Sequence, residues 1–209
     1  MKITKIELKS GTRYTVDVDG AYFYIFDLEI LQNNGLYVGK EVDESFLLEL
    51  KQQAEERKAR ERAFYLLSYR DHSEKELYDK LRRNTTEEIA AKTVAKMVEL
   101  HLLDDEAYAE KLARYYLEQK MWSYRKSLFE MKHKGIDREL AEDCLQACGV
   151  DPEEQIAKLI ERKYYRTLGD PKGNQKVINA LARLGFNYGD IKAVISQYEE
   201  EEEDSWQYE

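Results

Sequence analysis

Three segments of the chain repeat one another at intervals of 50 residues: Ser73 to Leu81 (SEKELYDKL), Ser123 to Met131 (SYRKSLFEM) and Gly173 to Leu181 (GNQKVINAL). Leu81, Met131 and Leu181 fall in one slot. Four residues on stand Thr85, Gly135 and Gly185, where glycine suits the left-handed residue that closes a helix. A further apolar-periodic segment comes next each time: Ile89 to Leu100, Leu140 to Cys148 and Ile191 to Tyr198. Each copy is also preceded by a helical segment: Ala59 to Tyr69, Asp105 to Lys120 and Pro152 to Arg166. Asp151 serves the last as N-cap, with Pro152 at its first position. Ser73 and Glu76 have the spacing of a capping box.

The repeat predicts three tandem three-helix units of about 47 to 50 residues. That period differs from the roughly 34 residues of tetratricopeptide and the roughly 33 of ankyrin arrays. One such unit buries too little apolar surface alone, so the expectation is end-to-end stacking into an elongated curved array with a groove for a partner. Ahead of the repeats, Ile3 to Phe26 reads as strands rich in β-branched and aromatic residues, with Asp19-Gly20 as a hairpin turn. A short helix from about Asp27 should stop near Asn33-Asn34-Gly35, and Asp43 caps the next helix. The fold class is therefore mainly α with a small β-containing cap. The expected boundaries are 1–54 for the cap, 55–103, 104–150 and 151–198 for the repeats, and 199–209 for an acidic tail expected to be mobile.

Composition agrees with long solvated helices: 36% of residues are charged, and only 2 are proline and 10 glycine. The longest apolar run, Ala21 to Phe26, is far short of the roughly 20 residues that span a bilayer. No charged-then-apolar leader opens the chain, so a cytoplasmic location without membrane association is expected. Cys144 and Cys148 lie four apart on one helix face and read as buried, reduced thiols. His72, His101 and His133 lack metal-ligand spacing. Phosphate-loop, dinucleotide, zinc-protease and nucleophile-elbow motifs are absent. The chain reads as a non-enzyme with no cofactor. The recurrence of its 16 tyrosines at helix-face spacing, as in Tyr65 with Tyr69 and Tyr108 with Tyr116, reads as packing.

Charge is unevenly spread. Seven of the 42 acids lie in residues 199–209, whereas residues 111–134 carry Lys111, Arg114, Lys120, Arg125, Lys126, Lys132 and Lys134 against only Glu118 and Glu130. Arg82 and Arg83 occupy the slots of Lys132 and His133 one repeat earlier. The stretch reads either as a solvated face or as a contact stripe made of Arg82, Arg83, Lys120, Arg125, Lys126, Lys132 and Lys134.

The stretch from Leu66 to Arg83 (LLSYRDHSEKELYDKLRR), then Leu103-Asp-Asp-Glu-Ala-Tyr-Ala109, then His133-Lys-Gly-Ile136, resembles the RecX family of bacterial recombination regulators. The likeness covers about residues 57 to 198, and Gly39-Lys-Glu-Val42 looks like the start of longer members. Thr85, where the first unit usually has glycine, and Ser127, in a normally apolar slot, depart from the pattern. The resemblance implies a non-enzymatic modulator that binds the groove of the RecA filament on DNA, and the chain is expected to be a monomer. It would chiefly inhibit ATPase and strand exchange, within homologous recombination, DNA repair and the SOS response. DNA would be met directly or through the filament. An autonomous DNA-binding protein of helix-turn-helix-like units, or a generic helical scaffold, remains an alternative.

Overall fold

The computed structural model describes the backbone of residues 1–206 and the side chains of residues 1–198. It forms two compact units, residues 1–71 with 77–102, and residues 72–76 with 103 onward.

In the first unit, strands β1 (Ile3–Ser10), β2 (Arg13–Val18) and β3 (Ala21–Asp27) make an antiparallel sheet in that order. Asp19 and Gly20 both take positive φ, 49° and 83°, as a tight two-residue hairpin requires. Helix α1 (Leu28–Asn33) comes next and stops where expected, with Gly35 at φ 57°. Helix α2 (Glu44–Tyr69) begins at Asp43, whose carboxylate accepts from Phe46 N at 2.8 Å. That amide hydrogen bond, with Ser45, holds the Asp43 carboxyl below its ordinary pKa. The first half of α2 buries Leu47, Leu50 and Ala54 with Ile3, Val16, Phe26, Ile30 and Leu31. Its second half buries Ala59, Ala63 and Leu66 and is tied to α4 (Glu87–Glu99) by Lys92–Glu56 at 2.6 Å. No breaker interrupts α2, so it carries the chain across residues 54–55 as one rod. Helix α3 (Glu74–Leu81) opens on the expected capping box: Glu76 N donates to Ser73 Oγ at 3.0 Å and Ser73 N to Glu76 Oε2 at 3.4 Å.

The second unit holds two more helix triplets. One is α5 (Asp105–Arg114) with a π-helical turn Tyr115–Gln119, then α6 (Tyr124–His133) and α7 (Arg138–Ala147). The other is α8 (Pro152–Leu159) with a π turn Ile160–Tyr164 and a 3-10 turn Tyr165–Thr167, then α9 (Pro171–Arg183) and α10 (Tyr188–Trp206). Each triplet has its own apolar cluster, one around Met131, Ala141 and Leu145, the other around Ile156, Leu181 and Ile191. The shared slot holds in all three copies: Leu81 is 2% exposed, Met131 and Leu181 0%. The backbone of α10 continues to Trp206, while the acidic side chains from Glu199 and the end of the chain lie outside the described residues, and with them the expected mobile tail.

Candidate functional site

Residues 72–76 belong with the second unit because the turn closing α6 receives the opening turn of α3. Ser73 Oγ, besides capping Glu76 N, donates to Lys134 O. A Cβ on Gly135, at φ +85°, would lie 2.5 Å from Lys75 Cβ. The same device recurs one repeat on. Ser123 Oγ accepts from Lys126 N at 3.2 Å, and Ser123 N donates to Leu184 O at 3.0 Å. A Cβ on Gly185, at φ +93°, would meet Ser123 Oγ at 2.5 Å and Lys126 Cβ at 2.6 Å. A serine therefore opens a second helix where another repeat comes after it, and a glycine closes one where another repeat comes before it. The terminal repeats depart accordingly: Gly173 replaces the serine of the third, and Thr85, outside the positive-φ positions, replaces the glycine of the first.

These joints use two of the expected contact lysines. Lys126 Nζ sits 4.6 Å over the Trp122 ring and donates to Arg183 O at 2.8 Å. Lys134 Nζ pairs with Glu76 at 3.4 Å and lies 6.0 Å from the Tyr108 ring centre. Both are half-buried, so Arg125, Lys126, Lys132 and Lys134 do not form one exposed stripe. A lysine is long enough to reach a carbonyl across a joint, and helix spacing alone does not register that reach. Beside Glu76, Asp105 accepts from Glu74 N at 2.9 Å. Burial, then Asp104 and Glu76, raise its pKa.

The outward face of α6 keeps Arg125, Phe129, Lys132 and His133, all exposed, with Phe129 66% open and stacked on His133 at 6.3 Å. No carboxylate lies within salt-bridge distance of Arg125 or Lys132 among the described residues. Sequence reasoning missed Phe129, though a signal existed: its slot holds Asp79 and Asn179 in the other repeats. Lys120 stands 5.3 Å over the Tyr115 ring. In the first unit Arg82 pairs with Glu87 at 2.6 Å, and Arg83 is exposed without a carboxylate partner.

The tyrosines divide. Tyr108 and Tyr116 are core as expected, but Tyr65 and Tyr69 are 63% and 85% exposed, a correction to the packing reading. Cys144 and Cys148 are free and half-buried rather than buried; desolvation raises both thiol pKa values and disfavours the nucleophilic thiolate. Among the described residues no cluster of three or more His, Cys, Asp or Glu could hold a metal ion, and no helix is long and apolar enough to cross a membrane.

Three family models match in series: RecX, first three-helix domain, over residues 59–97; second, over 104–145; third, over 151–195. The regulatory protein RecX of Bacillus velezensis is 30% identical over 97% of this chain and 79% of its own length. That of Caldanaerobacter subterraneus is 28% identical over 94% and 99%. A crystal structure of regulatory protein RecX aligns with a TM-score of 0.62 at 26% identity, covering 92% of this chain and 98% of its own. The crystal structure of RecX from Lactobacillus salivarius gives 0.55 at 27% identity over 68% and 96%.

Proposed function

The chain belongs to the RecX family of regulatory proteins, and from that premise we propose that it is a non-enzymatic regulator of the RecA recombinase. It binds the RecA–DNA filament and restrains its ATPase and recombination activity in DNA repair. The observation that carries this reading is the serial match to all three RecX domains, supported by the same serine–glycine joint built twice. The regulatory names of the relatives favour a non-enzyme, and burial, by raising the pKa of both half-buried thiols, disfavours the nucleophilic thiolate.

The domains are the cap (1–54), three repeats (55–103, 104–150, 151–198) and an acidic end (199–209), in a cytoplasmic monomer. Tandem modules suit a filament because linked weak contacts multiply in affinity. The middle repeat supplies the contact through Arg125, Phe129 and Lys132: an exposed aromatic between unpaired cations is the composition of an interface anchor. Lys120, Arg82 and Arg83 add charge, while Lys126 and Lys134 serve the joints.

An autonomous DNA-binding reading is favoured by one observation, a groove in the first unit between α2 and the loop before α4 that is lined by Lys58, Arg62, Arg82 and Arg83. One titration separates the two readings. Added to recombinase on single-stranded DNA, the protein should lower ATP hydrolysis and shorten filaments together. Unchanged hydrolysis and length, with tight binding to bare DNA at matched salt, would leave the DNA-binding reading standing instead.

A further inference from the structure

A cavity of about 370 Å³ in the second unit opens where the second repeat gives way to the third. Leu117, Glu118 and Met121 line it from the end of the second repeat's first helix, and Val150, Gln155 and Arg162 from the chain entering the third. The backbone is irregular on both sides. Leu117 and Glu118 lie in the π turn Tyr115–Gln119, Arg162 lies in the π turn Ile160–Tyr164, and Met121 holds a positive φ of 54°. Helix α2, which carries the chain into the first repeat, runs to Tyr69 without a π turn. Such turns, and non-glycine residues at positive φ, carry a local cost and gather at sites that hold ligands.

The lining side chains define what a ligand must offer. Gln155 is only 3% exposed, and its Nε2 donates to Leu117 O at 2.6 Å and to Trp122 O at 3.3 Å. Those bonds fix the amide and use both of its N–H groups. Its Oε1 accepts from no donor among the described residues. The sealed side-chain oxygens without a partner among those residues are those of Thr85 and Ser127, so the Gln155 oxygen keeps open surface, and the cavity is what Gln155 lines. A nearly buried carbonyl oxygen open to a cavity calls for an N–H. Glu118 and Arg162 are exposed and have no oppositely charged partner within salt-bridge distance among the described residues. The other charges of the lining are engaged: Glu154 pairs with Lys158 at 3.3 Å, and Asp151 caps α8. Leu117, Met121 and Val150, buried or half-buried, supply an apolar wall. A cationic ligand alone would leave Arg162 unanswered, and an anionic one would leave Glu118 and the Gln155 oxygen so.

We infer that this cavity binds a free α-amino acid with an apolar side chain. Gln155 Oε1 and Glu118 hold its ammonium group, Arg162 its carboxylate, and Leu117, Met121 and Val150 its side chain. The volume lies in the range of small-molecule sites. Because the lining comes from both repeats, an occupant bridges them and stabilises the joint by mass action. The site lies wholly in the second unit, and its binding needs no recombinase.

The test titrates L-leucine and L-phenylalanine into the full chain by calorimetry, each beside its decarboxylated amine and its deaminated acid. At least one amino acid should bind and raise the melting temperature, and its amine and its acid should each bind about tenfold more weakly. Glu118→Gln and Arg162→Gln, both at exposed positions, should each weaken amino-acid binding about tenfold while the melt of the free chain stays put. Gln155→Met removes the acceptor and should abolish binding. The inference is overturned if neither amino acid binds, if the amine or the acid binds as tightly as its parent, or if both exposed variants bind as the parent chain does. No recombinase is present in these titrations, so their outcome is separate from that of the regulator reading.

Discussion

The two faces of α6 carry similar residues to different ends. Inward, Ser123, Lys126, Ser127, Met131 and Lys134 cap, pack and cross the joints, each half-buried or buried. Outward, Arg125, Phe129, Lys132 and His133 meet solvent. The lysines are chemically equivalent in sequence, and only the position of the neighbouring repeat separates a structural cation from one available to a partner. A charged stretch is therefore no guide to a contact surface until the joints have been subtracted.

The inward face breaks most readily at the glycine turns. Gly135→Ala or Gly185→Ala forces a Cβ into an occupied position at a positive φ and should cost about 2 to 4 kcal/mol. Thr85→Gly in the first repeat, which makes no such approach, should cost under about 1 kcal/mol. Chemical denaturation of the three variants checks the pair; equal losses would erase the distinction between joined and terminal turns.

Ser127 sharpens the inward face in the other direction. It is fully buried in the slot of Leu77 and Val177, and its hydroxyl has no partner. Ser127→Ala should therefore stabilise the protein by about 1 kcal/mol, because an unsatisfied buried hydroxyl carries a desolvation cost. A destabilised alanine variant in the same denaturation assay would contradict this account of the slot.

The smallest stability effect sits at Asp105. Its pKa is raised by burial and nearby acids, so ionising it costs stability, and that cost disappears as pH falls through its folded-state pKa. Asp105→Asn keeps an acceptor for Glu74 N without the charge. The variant should melt slightly above the parent at neutral pH, and the gap should close as pH falls into the carboxylate range. A gap that widens on acidification would mean that the ionised carboxylate stabilises the fold.

Most of the fold was legible because it obeys local rules. The 50-residue spacing set the three triplets, Asp43, Ser73 and Asp151 marked helix starts, and Gly135 and Gly185 marked helix ends. The surface was less legible. Lys126 finds its acceptor on Arg183 and Lys134 its partner on Glu76, 57 and 58 residues away, and no local periodicity encodes such reach. Tyr65 and Tyr69 share a helix face with spacing that also suits a core, yet nothing covers that face within its unit strongly enough to bury them. Phe129 was visible only as a difference between repeats, which charge counting passes over.

The division of α6 into a structural face and a proposed contact face is tested most directly by one variant, Arg125→Glu with Phe129→Ala and Lys132→Glu, measured for recombinase-filament binding across a salt series and for thermal unfolding. All three side chains are exposed, so Tm should stay within about 2 °C of the parent. Filament binding should fall about tenfold or more, with a shallower salt slope. Parental binding at every salt concentration would contradict the account, because the outward face of α6 would then be solvated surface only.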